Sequence, residues 1–95
     1  MKVRILQLPV EDDRAFRSFD EAVKGKGFDR KAYTEVWRTL LPDEMTLENI
    51  FQLLNEYDKP EGFNGHSLSV SDLVEITKNG KTETYFCDPI GWQKV

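Results

Sequence analysis

The dipeptide Asn79-Gly80 lies between two runs of strand-forming residues, Leu73-Val74-Glu75-Ile76 and Thr82 to Cys87, with Lys78 and Lys81 at its flanks. Asn and Gly enter the left-handed backbone region at the least steric cost, so the pair predicts a type I′ turn and makes the flanking runs return antiparallel. A two-stranded ribbon is not stable alone in water. The remaining residues must therefore add strands to it and cover its apolar face.

Candidates for both roles are visible. The N-terminal segment is dense in branched residues and stops at Pro9, which predicts a strand over about residues 2–8. Glu11-Asp12-Asp13-Arg14 reads as a charged loop. Ser18 or Asp20 can cap a short helix through Glu21, Ala22 and Val23 that Gly25 and Gly27 end. Residues 32–41 fit either a helix or a strand by spacing. The Thr, Val, Trp and Tyr content of Tyr33 to Leu40 favours a strand, and Pro42 terminates it. Leu47, Ile50, Phe51 and Leu54 recur at helical spacing behind Thr46, an N-cap residue, with Met45 and Ile50 placed as a hydrophobic staple. The main helix is expected over about residues 47–56, with that face on the sheet. Asp58 to Gly65 is a turn-rich connection anchored by Phe63, and Asp88-Pro89-Ile90-Gly91 is a turn after which Trp92 and Val95 close one edge of the core. The fold expected is α+β, with a mostly antiparallel sheet of three to five strands.

Ninety-five residues give one core and one domain, 1–95. The net charge of −4 argues against a nucleic-acid backbone as partner, since the basic residues cluster only at Lys24, Lys26, Arg30 and Lys31. A single cysteine excludes an internal disulfide, and neither a leader peptide nor a membrane-spanning run is visible, so a cytoplasmic location is expected.

Three stretches carry a family resemblance. They are the first strand with Phe16-Arg17-Ser18-Phe19, then Leu47-Glu48-Asn49-Ile50-Phe51, and the segment from Gly65-His66-Ser67-Leu68 through Ser69-Val70-Ser71-Asp72 to Leu73-Val74-Glu75-Ile76. The order continues through the hairpin into Tyr85-Phe86-Cys87-Asp88-Pro89-Ile90-Gly91-Trp92. The chain resembles the YodL-like domain, an uncharacterised module of proteins from bacterial mobile elements. That resemblance implies a bacterial setting, often beside conjugation or DNA-processing domains, and no established activity. Many members carry Arg where this chain has His66, and Ser-Phe-Gly-Phe where it has Pro89-Ile90-Gly91-Trp92, so no family-wide chemistry attaches to His66 or Trp92.

The polar groups of Ser67, Ser69, Ser71 and Asp72 can bond neighbouring amides and turn the chain into the strand that follows. The same groups, with His66 and Trp92, also form a candidate interaction surface. Cys87, His66 and one of Asp58, Asp72 or Asp88 can be drawn as nucleophile, base and orienter. No nucleophile motif surrounds Cys87, however, and an isolated cysteine is ordinarily a small buried apolar residue. The one histidine and one cysteine show no zinc-ligand spacing, the Glu11-Asp12-Asp13 run reads as a solvated loop, and the glycines match no phosphate-cradling pattern. Trp37, Trp92, Tyr57, Phe63 and Tyr85 lack the interleaved basic residues of a single-strand binding platform and are assigned mainly to the core.

No catalytic residue, metal or cofactor is assigned. The function expected is a non-enzymatic module that binds another protein through strand edges or the Asp58 to Asp72 surface. One alternative is an inhibitor of host defence that presents Glu11, Asp12, Asp13, Asp20 and Glu21 in place of DNA phosphates. The other is a small enzyme using His66 and Cys87. Oligomeric state is open, since a second copy is one of several ways to protect an edge strand.

Overall fold

The computed structural model describes residues 1–56 and 58–95; Tyr57, one of the rings weighed above, lies outside the described residues. Among the described residues five strands, β1 (Lys2–Gln7), β2 (Thr34–Leu40), β3 (Leu73–Lys78), β4 (Lys81–Cys87) and β5 (Trp92–Lys94), form one sheet. Its order is β2-β1-β3-β4-β5 and every neighbouring pair is antiparallel. Two short helices, α1 (Phe19–Lys24) and α2 (Leu47–Leu53), and one 3-10 turn at Arg30–Ala32 accompany it. The expected α+β class and the hairpin are present, with Asn79 at φ 53° and Gly80 at φ 77° as the turn requires. Residues 34–40 resolve to a strand.

β1 is the pivot of this topology. It pairs with β2 on one side and β3 on the other, so β2 and β3 run in the same direction and the connection between them has to cross β1. That crossing carries α2 over the sheet. Ile50 and Leu54 bury fully against Val3, Ile5, Val74 and Trp37, joined by Leu68. The remaining stripe residues Leu47 and Phe51, with Met45, pack around this cluster, and the ring of Phe63 sits 5.9 Å from that of Trp37.

α2 begins as expected. Thr46 Oγ1 accepts from the amide of Asn49 while Asn49 Oδ1 accepts from the amide of Thr46, a reciprocal cap. The helix is shorter than the expected 47–56, ending at Leu53. The reason is Asn55, whose side-chain amide donates to Phe51 O at 2.8 Å and to Leu68 O at 3.1 Å. One carbonyl left free by the helix end is satisfied, and the segment is tied to the chain returning toward β3.

The opposite sheet face has its own cover, which the sequence reading did not assign. Leu6, Leu73 and Phe86 are buried beneath Phe19, Phe28 and Tyr33, with Phe19 and Phe28 meeting the Phe86 ring nearly edge-on at 5.3 and 6.3 Å. Ser18 caps α1 through a capping box with Glu21, orienting Phe19 at the first helical position. Beyond this aromatic cover Glu75, only 7% exposed, is held by Arg4 and Arg30. Arg30 thus serves the sheet and not a free basic cluster. At the C-terminus Trp92 packs near Phe51, but Val95 is exposed and continues the β5 pairing through its amide to Thr84 O. No described helix is long and apolar enough to cross a membrane.

Removing a fully buried side chain leaves a cavity that a small core fills poorly. Ile50→Ala is expected to lower unfolding free energy by about 2–5 kcal/mol, whereas Leu40→Ala, at a side chain 77% exposed, should change it by less than about 0.5 kcal/mol. Urea denaturation of the two variants measures the contrast.

Candidate functional site at the buried Asp72 carboxyl

Immediately before β3 the chain places a carboxylic acid in the interior. Asp72 is 1% exposed. Its Oδ2 accepts from the amide of Ser69 at 2.8 Å and from Gln7 Nε2 at 3.0 Å, whereas Oδ1 is buried with no hydrogen-bond partner among the described residues. Its backbone is held equally firmly, the amide donating to Ser69 O and the carbonyl accepting from Cys87.

Gln7, at the end of β1, is the hub of this arrangement. Besides Asp72, its side-chain amide donates to His66 O at 2.9 Å, and its Oε1 accepts from the His66 amide at 3.2 Å. Gly65 makes room for it, since a Cβ there would lie 2.2 Å from Gln7 Oε1. Burying a glutamine is unfavourable unless its amide group is bonded, and here both ends are.

Ser71 and Phe16 form a second tie. Both adopt left-handed backbone geometry, Ser71 at φ 86° and Phe16 at φ 65°, a conformation that costs a residue with a Cβ about 1–2 kcal/mol. They are bonded to each other, because the Phe16 amide donates to Ser71 Oγ at 2.9 Å. Ser71 O accepts from the Tyr33 hydroxyl at 2.7 Å and its amide donates to Cys87 O. Ser71 is thereby locked inside, while Phe16 stays half in solvent with its ring 5.2 Å from that of His66.

The tautomer of His66 follows from its neighbours. Nδ1 lies 2.7 Å from Ser67 O, an acceptor only, and 3.4 Å from Gln7 Nε2, whose two hydrogens already serve His66 O and Asp72. In the neutral ring the proton therefore sits on Nδ1, and Nε2 carries the lone pair. Asp72 Oδ2 is 4.0 Å from Nδ1, too far to hold the ring as a triad carboxylate would.

Burial dominates the electrostatics. It pushes the Asp72 carboxyl up from 3.8 to about 7, against the opposing pull of the Ser69 and Gln7 bonds. Because Oδ2 already receives two donors, the proton belongs on Oδ1. Burial, and secondarily the Asp72 charge, raises the Tyr33 hydroxyl and pushes the Cys87 thiol up to about 12. Cys87 is thus a protonated thiol at neutral pH, a poor nucleophile.

Of the residues expected at a contact surface, the structure brings His66, Ser67, Ser69, Ser71 and Asp72 together but not all at the surface. His66, Ser67 and Ser69 are half-buried. Ser71 and Asp72 are interior, because their polar groups are spent on Phe16, Tyr33, Gln7 and Ser69. Trp92 is tied instead to α2, its Nε1 donating to Glu48 at 3.0 Å. Gln7, Phe16, Tyr33 and Gly65 were not assigned to the site, although the first strand, Phe16 and Gly65 all stand in the stretches that carry the resemblance. Among the described residues no three His, Cys, Asp or Glu side chains are grouped to hold a metal ion.

The native state binds the Asp72 proton more tightly than the unfolded chain does. Stability from this group is therefore complete below about pH 4 and drains away as pH rises through about 7. Glu35, drawn down to about 2 by Arg38 and Arg4, acts oppositely and loses its contribution only in acid. Thermal melts of the parent protein should show a decline between about pH 4 and 7, and Asp72→Asn, which keeps an acceptor for Ser69 and Gln7, should abolish it. Gly65→Ala should destabilise at every pH by forcing Gln7 from its site, by about 1–3 kcal/mol for the two or three polar groups disturbed.

No curated protein and no solved structure matches the chain. The family model of the YodL-like domain matches residues 2–95, nearly every residue, and the chain belongs to that family.

Proposed function

We propose that the chain is a non-enzymatic protein-interaction module of a bacterial mobile element, acting in the cytoplasm, with Phe16 and His66 at the centre of its contact surface. The observation that carries this reading is Phe16. A large apolar ring 51% exposed is held out in strained backbone geometry by a bond from its amide to a buried serine. Interior residues committed to fixing one exposed aromatic fit a pre-formed contact site, because a ring ordered before binding loses little further entropy. His66 Nε2 adds an acceptor beside it.

Two features weigh against the other readings. The acidic run that would imitate DNA phosphates is interleaved with cations, Asp12 with Arg14 at 2.9 Å, Asp13 with Lys26 at 3.5 Å and Glu21 with Arg17 at 3.5 Å. Such pairing removes the field a phosphate mimic needs. The enzyme reading requires a thiolate, and the interior position of Cys87 opposes one.

Phe16→Gly removes the ring and relieves the backbone strain together, so the variant should melt no lower than the parent. Tagged protein would be used to capture partners from nuclease-treated lysate of the source cells. The reading expects a partner whose affinity falls about thirtyfold or more with Phe16→Gly, the loss of a central aromatic contact of about 2 kcal/mol or more. It is abandoned if binding is indifferent to Phe16, or if the pure protein turns over a substrate in a manner that one side-chain substitution abolishes.

A further inference from the structure

The α2 face of the sheet is only partly covered. Seven helical residues span about 10 Å, whereas the strands of the β3–β4 hairpin run about 20 Å. α2 lies over Val3, Ile5 and Val74. Toward the Asn79-Gly80 turn an open cleft of about 380 Å³ remains, at the far end of β3 from Asp72. Met45, Ile76 and Tyr85, all half-buried, give it an apolar wall, and the exposed Lys78 and Lys81 stand at its rim.

The charges around the cleft do not cancel. Glu83 is the carboxylate lining it, and that group is already engaged by the Tyr85 hydroxyl, by Lys94 at 3.3 Å and by Lys81 at 3.5 Å. Lys78 Nζ donates to a neutral acceptor, the carbonyl of Asp43, whose carboxylate is taken by the amino group of Met1 at 2.6 Å. With the Met1 amino group and the Asp43 carboxylate cancelling each other, Lys78 and Lys81 stand at the rim beside one lining carboxylate that is already engaged, a local excess of positive charge on a chain of net charge −4.

We propose that this cleft binds a small amphipathic carboxylate, its apolar body against Met45, Ile76 and Tyr85 and its head between Lys78 and Lys81. The volume lies within the range of about 300–1,000 Å³ typical of small-molecule sites. Apolar contact supplies affinity, and the lysines select the sign of the head group. This site is independent of the Phe16 surface and stands or falls separately.

The test is a titration of isotope-labelled protein with octanoate, followed by amide chemical shifts, beside acetate and octylammonium as probes of head and tail alone. Octanoate should give saturable shifts confined to the amides around Ile76, Lys78, Lys81 and Tyr85, with acetate and octylammonium each about tenfold weaker. Lys81→Glu should weaken octanoate roughly five- to tenfold, as expected for reversing one partly screened charge. Lys81→Gln should fall between, and unchanged melting temperatures would separate these losses from misfolding. Equal binding of octylammonium, shifts that do not saturate or that spread over distant lysines, or indifference to both Lys81 variants would each overturn the proposal.

Discussion

Removing the Asp72 carboxyl from water ties distant parts of the chain to one point. Its Oδ2 engages Gln7 at the end of β1 and the amide of Ser69, while its carbonyl receives the amide of Cys87 at the end of β4. Gln7 in turn clamps His66, and Ser71 beside Asp72 holds both Tyr33 and Phe16. Segments separated by up to some sixty residues in sequence thus share one polar node in the low-dielectric interior, where a satisfied bond is strong and an unsatisfied one is unfavourable. Burial penalises the charged form, and Oδ1 has no donor among the described residues to offset that penalty, so the carboxyl holds its proton to about neutral pH.

The two faces of the sheet are closed by different means. On one, α2 brings aliphatic side chains down on Val3, Ile5 and Val74, and on the other a loop-rich segment closes with the rings of Phe19, Phe28 and Tyr33. An aromatic cover needs few residues because each ring buries a large area, so a six-residue helix and a single 3-10 turn suffice. The shortness of α2 has the opposite effect, leaving the hairpin end of its face open as a cleft.

Exposed edges are managed locally. The outer side of β2 receives a hydrogen bond from the Asn64 amide to Val36 O, and β5 is only three residues long. Both devices limit edge-to-edge pairing. Between these managed edges Phe16 stands apart as an apolar side chain that is exposed yet fixed from within through its amide.

Local signals in the chain were sufficient for most of its elements, though not for β5 or the 3-10 turn. Asn79-Gly80 determined the hairpin because few residues adopt positive φ, Thr46 with the stripe of Leu47, Ile50, Phe51 and Leu54 determined α2 and its buried face, and the composition of Tyr33 to Leu40 favoured a strand over a helix. The 47–56 helix was read too long because Asn55 ends it by reaching Leu68, a partner thirteen residues on. The candidate site was legible only as a run of serines around Asp72. That Ser71 and Asp72 turn inward, that Gln7 is their hub, that Gly65 is needed for space rather than for backbone freedom, and that Phe16 is held in left-handed geometry all depend on contacts between segments far apart in sequence. Periodicity and turn chemistry report interactions within a few residues, whereas burial of a polar group, and the pKa and strain that accompany it, are properties of the packed interior. Those only the tertiary structure decided.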